Sequence, residues 1–183
     1  MSDFNQTDAP QGGETVAVIS TNHGEMKIRL FPEIVGEAAE NFIELARQGK
    51  YNGAPFHRVI NNFMIQGGDF INGDGTGGHA ANGEGSTIGD VYDPRLRHIK
   101  GAVSWAKSRM PSSIGSQFFI VHARDGAHFL DHPIDGHFHE GYTVFGQLYE
   151  GFETLDSIAE VKTNNRDRPK EDVMIESIVI KML

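Results

Sequence analysis

A mainly β fold with two helices is predicted by three features of this 183-residue chain. Eight short segments carry the apolar, β-branched residues and the period-two alternation of strands. Two longer segments, 36–48 and 151–161, carry apolar residues at helical spacing instead. Glycine reaches 22 residues, so the connections are turns and loops. Strand-rich chains with tight turns form sandwiches or closed barrels, and spacing alone does not choose between them.

Residues 14–20 hold Val16, Val18 and Ile19 and predict a first strand. Residues 24–31 alternate Met26, Ile28 and Leu30 against Lys27 and Arg29, the pattern of a half-buried strand. Thr21-Asn22-His23-Gly24 between them predicts a hairpin. Pro32 ends the second strand. The first helix follows over 36–48, with Ala39, Phe42, Ile43 and Ala46 on one face and Gly49 as its stop. Short strands are predicted over 56–60 and 63–66, around an Asn61-Asn62 turn. Residues 67–98 form a long irregular stretch with nine of the glycines, a length that marks a functional or disordered loop. Strands at 102–106, 117–121 and 142–149 come next, then the helix at 151–161 and a β-branched strand at 173–182. Residues 1–13 are polar and predict a flexible tail, leaving 14–183 as one domain.

Composition excludes several functions. The formal charge is −9, which argues against a nucleic-acid binder. With no cysteine, disulfides, thiol catalysis and thiolate zinc sites are ruled out. No apolar stretch approaches the roughly 20 residues of a membrane helix. The N-terminus lacks the basic and apolar regions of a secretory signal, so a cytoplasmic protein is expected.

The richest segment is Phe56-His57-Arg58-Val59-Ile60-Asn61-Asn62-Phe63-Met64-Ile65-Gln66-Gly67-Gly68. It sets one cation and one amide among large apolar residues, an arrangement suited to a neutral polar substrate such as a peptide backbone. No nucleophile stands beside a base. This run, with Gly115-Ser116-Gln117-Phe118-Phe119-Ile120 and Val144-Phe145-Gly146 in the same order, closely resembles the motifs of the cyclophilins. The resemblance extends over about 14–183 and implies a small, bacterial-looking peptidyl-prolyl cis-trans isomerase. Its fold would be a closed eight-stranded antiparallel barrel with a helix capping each end. It implies no cofactor and no metal. Its partners would be proline-containing segments of unfolded or flexible proteins, and a monomer is expected.

By the same resemblance Arg58 is catalytic, and Gln66 orients it and contacts the substrate backbone. An arginine donor aimed at the proline nitrogen favours the twisted amide, with no covalent step. His57 supports the pocket and is not a base. Phe63, Met64, Phe119 and Leu130 match the proline pocket. Ala106 and Lys107 match the strip along the substrate backbone, and Gln117 matches a groove residue. The chain departs from the commonest family pattern at four of its sites. Asn61-Asn62 replaces Pro-Gly, Lys107 replaces asparagine, Phe129 stands for tryptophan and Tyr142 for histidine. An aromatic wall survives, but a cyclosporin-type macrocycle is expected to bind with reduced affinity. An insertion separates Leu130 from Tyr142.

Other motifs compete. Gly73-Asp74-Gly75-Thr76-Gly77-Gly78 satisfies G-x-G-x-x-G, yet no helical pattern follows it, so a glycine-rich turn is the better reading than a nucleotide site. Asp69, Asn72, Asp74 and Glu84 do not have EF-hand spacing. His128, His132, His137 and His139, with Asp131, Asp135 and Glu140, suggest zinc or nickel, or some pH dependence in the groove. A polar loop with solvated histidines is the simpler account. Ser112, Ser113 and Ser116 lack a nucleophile elbow. A binding module that holds proline segments without turnover remains the main alternative to the enzyme.

Overall fold

The computed structural model describes residues 4–132 and 141–183. The strands are β1 Thr15–Thr21, β2 Gly24–Leu30, β3 Arg58–Ile60, β4 Met64–Gly67, β5 Ala102–Trp105, β6 Phe118–Val121, β7 Val144–Glu150 and β8 Ile175–Met182. Helix α1 is Pro32–Val35, α2 is Glu37–Arg47 and α3 is Phe152–Ala159. All eight predicted strands and both predicted helices are present, with ends shifted by a few residues. Two short elements were not predicted: α1, which Pro32 opens with its preset φ, and a 3-10 turn at His128–Leu130.

The strands form one antiparallel sheet in the order β3-β4-β6-β5-β7-β2-β1-β8, curved into a half-barrel. The expected closed barrel is therefore corrected: the ladder ends at β3 and β8. Beside this edge the segment 53–56 runs along 173–175: Pro55 bridges Met174, Gly53 N–H donates to Ile175 O, Ile175 N–H to Ala54 O and Phe56 N–H to Val173 O, at 2.7–2.9 Å. Within β3, the Val59 N–H turns to Asp167 O at 2.8 Å instead of to β8.

Packing follows from the apolar faces. Phe42 of α2 meets Tyr51, Trp105, Phe118 and Phe145 at ring-centroid distances of 5.1–6.2 Å. Trp105 donates its indole N–H to Ala38 O at 2.8 Å, which satisfies its polar end and ties α2 to β5. Helix α3 buries Leu155, Ile158 and Ala159 and packs against β2, β3 and β4. Among the described residues no helix is long and apolar enough to cross a membrane.

Residues 4–13, expected as a flexible tail, lie on the sheet. The alternation in β2 predicts Arg29 on the solvent side, yet it is buried beneath this segment. Its guanidinium makes a two-pronged pair with Glu14 at 2.9 and 2.6 Å and donates to Asn5 O. Phe4 packs edge-on against Phe31. Gln6 is buried and clips the backbone of Arg97: its Nε2 donates to Arg97 O and its Oε1 accepts the Arg97 N–H, at 2.9 and 2.8 Å. Composition hid this, because the segment is held by a polar clip and one aromatic ring, not by an apolar run. Gln6→Ala is expected to lower stability by about 1–3 kcal/mol, since it strands buried polar groups. Thermal unfolding checks this, and an unchanged midpoint would show the clip to be idle.

Candidate functional site

Register places the key side chains in one row. Arg58 pairs with Gln66 across β3 and β4, and Gln66 pairs with Phe119 across β4 and β6. Residues directly opposite on adjacent strands share a face. Met64, two residues before Gln66, shares it too. Strand β6 is buried on both sides, with Phe118 in the core against Phe42, Tyr51 and Phe56, and Phe119 on the site side against His98 and Tyr142.

Arg58, Phe63, Met64, Gln66, Ala106, Lys107, Phe119, Leu130 and Tyr142 together line a cavity of about 210 Å³. Nine of the twelve predicted site residues thus meet around one pocket. A neighbouring cavity of about 360 Å³ shares Gln66, Ala106 and Lys107 and adds Gln117, so the two form a continuous groove. Phe129 lies outside the lining: it is 72% exposed and stacks at a tilt on Phe63, 5.7 Å between centroids. His57 is buried behind the groove, and its Nδ1 has no hydrogen-bond partner among the described residues. Burial lowers the His57 pKa, against the opposing pull of Asp69, so the neutral ring is favoured.

The Arg58 side chain is exposed and makes no hydrogen bond or ion pair among the described residues. Its donors are thus free to meet a substrate. Gln66, expected to orient Arg58, gives its amide N–H to Gln117 Oε1 at 3.1 Å instead. Gln117 in turn donates to Gly75 O and Gly77 O at 2.9 and 2.8 Å.

Those glycines belong to the run that mimics a dinucleotide motif. Asp69, fully buried, occupies its centre. Its Oδ1 accepts the N–H groups of Ile71 and Asn72, and its Oδ2 those of Asp74, Gly75 and Gly77, at 2.9–3.2 Å. The amides that would cradle a phosphate already hold a carboxylate, and no helix follows. Burial alone would raise the Asp69 pKa, but the four backbone bonds from Asn72, Gly77, Ile71 and Gly75 outweigh it and hold the carboxyl well below the usual range. Gly75 needs its freedom here: at φ +94° a Cβ would also sit 2.8 Å from His57 Nε2.

Behind Phe119 is a network that sequence reading missed. His98 stacks on Phe119 at 5.9 Å and 16°. Its Nδ1 lies 2.8 Å from Asp131 Oδ1 and its Nε2 2.9 Å from Ser104 Oγ. Asp131 Oδ2 also accepts from Arg97 Nε at 2.7 Å and pairs with His128 Nδ1 at 2.9 Å. Burial would raise the Asp131 pKa; the bonds from His98 and Arg97 reverse this and push it well below the usual range. His128 and Asp131, which the histidine-rich insert offered as metal ligands, are engaged in this network, and the His132 ring lies 4.1 Å from that of Tyr92. His137, His139, Asp135 and Glu140 lie outside the described residues. Among the described residues, no group of three histidine, aspartate or glutamate side chains is arranged to hold a metal ion.

Lys107 is tucked beside the groove with its side chain only 3% exposed. Its ammonium lies 2.9 Å from Asp90 Oδ1 and 5.5 Å from the Tyr142 ring centroid. Burial would lower its pKa, and the adjacent Asp90 more than compensates and raises it.

Known proteins match this arrangement. A family model described as cyclophilin type peptidyl-prolyl cis-trans isomerase/CLD covers residues 16–180. A Streptococcus pyogenes protein named as a bifunctional phosphatase/peptidyl-prolyl cis-trans isomerase is 39% identical over 97% of this chain, which spans 41% of that longer protein. A Staphylococcus aureus protein named as a peptidyl-prolyl cis-trans isomerase is 38% identical, over 93% of this chain and 94% of its own length. The crystal structure of a Cryptosporidium parvum cyclophilin-type isomerase superposes with a TM-score of 0.82 at 32% identity, covering 93% of this chain and 99% of that one. A second structure of that protein, determined in the presence of the dipeptide Ala-Pro, gives 0.81 at 33% identity, covering 92% of this chain and 99% of that one.

Proposed function

The chain belongs to the cyclophilin-type peptidyl-prolyl cis-trans isomerases, and we propose that it turns X-Pro bonds of unfolded or flexible protein segments in the groove between Arg58 and Phe119. The reaction of the family is rotation about the peptide bond that precedes proline. That bond resists rotation because twisting it breaks amide resonance, at a cost of about 18–20 kcal/mol. Once twisted, the proline nitrogen is pyramidal and its lone pair accepts a hydrogen bond. Arg58 supplies the donor. A planar ground-state amide offers no such acceptor at nitrogen, so the interaction favours the transition state selectively.

The observation that carries this reading is the Arg58 guanidinium, without a hydrogen-bond or ion-pair partner among the described residues, lining one pocket with Phe63, Met64, Phe119 and Leu130. Phe63, Met64, Phe119 and Leu130 make walls that suit a compact apolar ring. Gln66, held by Gln117, faces the substrate backbone beside the arginine. Ala106 and Lys107 line the same groove. A rate gain of ~10⁵ needs about 7 kcal/mol, at 1.36 kcal/mol per decade, which one donor, exclusion of water and orientation share. No cofactor takes part in this scheme. A folding role fits, because unaided proline isomerisation takes tens of seconds. A cytoplasmic monomer is the accompanying reading. A cyclosporin-type macrocycle is expected to bind with reduced affinity, since exposed Phe129 offers less surface than an indole.

NMR exchange on a short X-Pro peptide tests the proposal. The unmodified protein is expected to bring cis and trans signals into fast exchange at sub-stoichiometric concentration. Binding of the peptide with unchanged exchange would instead support a module that holds proline segments without turnover.

A further inference from the structure

Phe63 and Met64 reach the groove from the turn between β3 and β4, which is made of Asn61 and Asn62. Asn62 has φ +57°, the left-handed region that asparagine enters more readily than most residues. What holds this turn is His122, the residue just after β6. Its Nδ1 accepts the Asn62 backbone N–H at 2.9 Å. Its Nε2 lies 3.0 Å from Asp156 Oδ1 on α3. A backbone N–H only donates and a carboxylate only accepts, so one form of the ring satisfies both: neutral, with its hydrogen on Nε2. The neighbouring backbone joins in. The N–H groups of His122 and Ala123 both donate to Phe63 O, at 2.8 and 3.1 Å, and Arg124 N–H donates to Asn62 Oδ1 at 3.1 Å. The His122 side chain is 11% exposed, while Asn62 and Asp156 at the two ends of the clamp are open to solvent.

We infer that His122 is a positioning residue for isomerisation: its neutral Nε2–H ring locks the Asn61-Asn62 turn, and with it the Phe63 wall of the proline pocket, to helix α3. The inference rests on the isomerase reading of the groove. Asp156 is also paired with Lys100, ahead of β5, whose Nζ lies 2.9 Å from its Oδ1. Asparagine offers the same acceptor at this position, because its Oδ1 takes nearly the place of Nδ1.

The test compares the unmodified protein, His122→Ala and His122→Asn by peptide exchange at neutral pH. His122→Ala is expected to lose about 10-fold in kcat/KM, because its wall is misplaced. His122→Asn should recover most of that loss. Full activity in a folded His122→Ala variant, or no rescue by asparagine, would overturn the inference. If the alanine variant does not fold, His122→Gln takes its place, since its longer side chain carries the amide past the Nδ1 position, and full activity there would overturn the inference. An unmodified protein without turnover would overturn the isomerase reading and this inference with it, whereas active unmodified and active alanine proteins overturn the inference alone.

Discussion

Arg58→Ala is expected to lower kcat/KM by about 10²–10³-fold, the range seen when one preorganised donor to a transition state is removed. The fold should not notice. Arg58 is exposed at the edge strand β3 and has no described hydrogen bond or ion pair to lose. The melting temperature should therefore stay within experimental scatter. Peptide binding should fall much less than turnover, because Phe63, Met64, Phe119 and Leu130 still enclose the proline ring. Arg58→Lys should recover only part of the rate: it restores a charge and a donor but not the rigid guanidinium plane. The measurement is NMR exchange of an X-Pro peptide alongside its titration. A folded Arg58→Ala variant with more than a third of the original activity would rule out the donor mechanism. A variant that lost binding and turnover equally would recast Arg58 as a ground-state contact.

Much of this site was readable before any coordinates, for a local reason. Arg58, Met64 and Gln66 lie within nine residues, so a hairpin brings them to one face by strand period, and Phe63 joins them from the turn between the strands. Phe119 joined them through a second motif, and the sheet pairs it directly with Gln66. What stayed hidden depends on contacts distant in sequence. The Gln66 partner is Gln117, across a neighbouring strand, and no spacing rule singles it out over Arg58. His98 and Asp131 are 33 residues apart and carry no motif. His122 is an ordinary polar residue at a strand end until α3 delivers Asp156. The open edge at β3 and β8 escaped the sequence for a different reason: it depends on where 53–56 and 173–175 meet, and no local pattern shows that. The tail was misjudged because a buried glutamine looks the same in a sequence as a solvated one.

Asp69→Ala should be the most destabilising single change in the groove loop, with a loss of about 4 kcal/mol or more. Removing a buried carboxylate leaves five backbone N–H groups without their acceptor, and each stranded group costs about 1–3 kcal/mol before the loop relaxes. Asp69→Asn keeps the shape but turns an NH₂ group toward donors, so it should recover only part of the loss. The pH dependence follows from the depressed folded-state value. The unfolded carboxyl titrates near about 3.9, so the stabilisation is complete above that and is lost as pH falls through the lower folded value. Both variants should consequently show a shallower loss of stability below about pH 4 than the unmodified protein. Activity should suffer as well, through a traceable path. Asp69 fixes the N–H groups of Gly75 and Gly77, the carbonyls of those glycines hold the Gln117 amide, and Gln117 holds Gln66 beside Arg58. In Asp69→Asn, where the fold is more nearly retained, kcat/KM should drop while the melting curve still shows a cooperative transition. Urea unfolding across pH, paired with peptide exchange, measures both effects. An Asp69→Ala protein as stable as the original, with the same acid limb, would mean that the five bonds are matched by equivalent ones in its absence and that the loop does not depend on its buried acid.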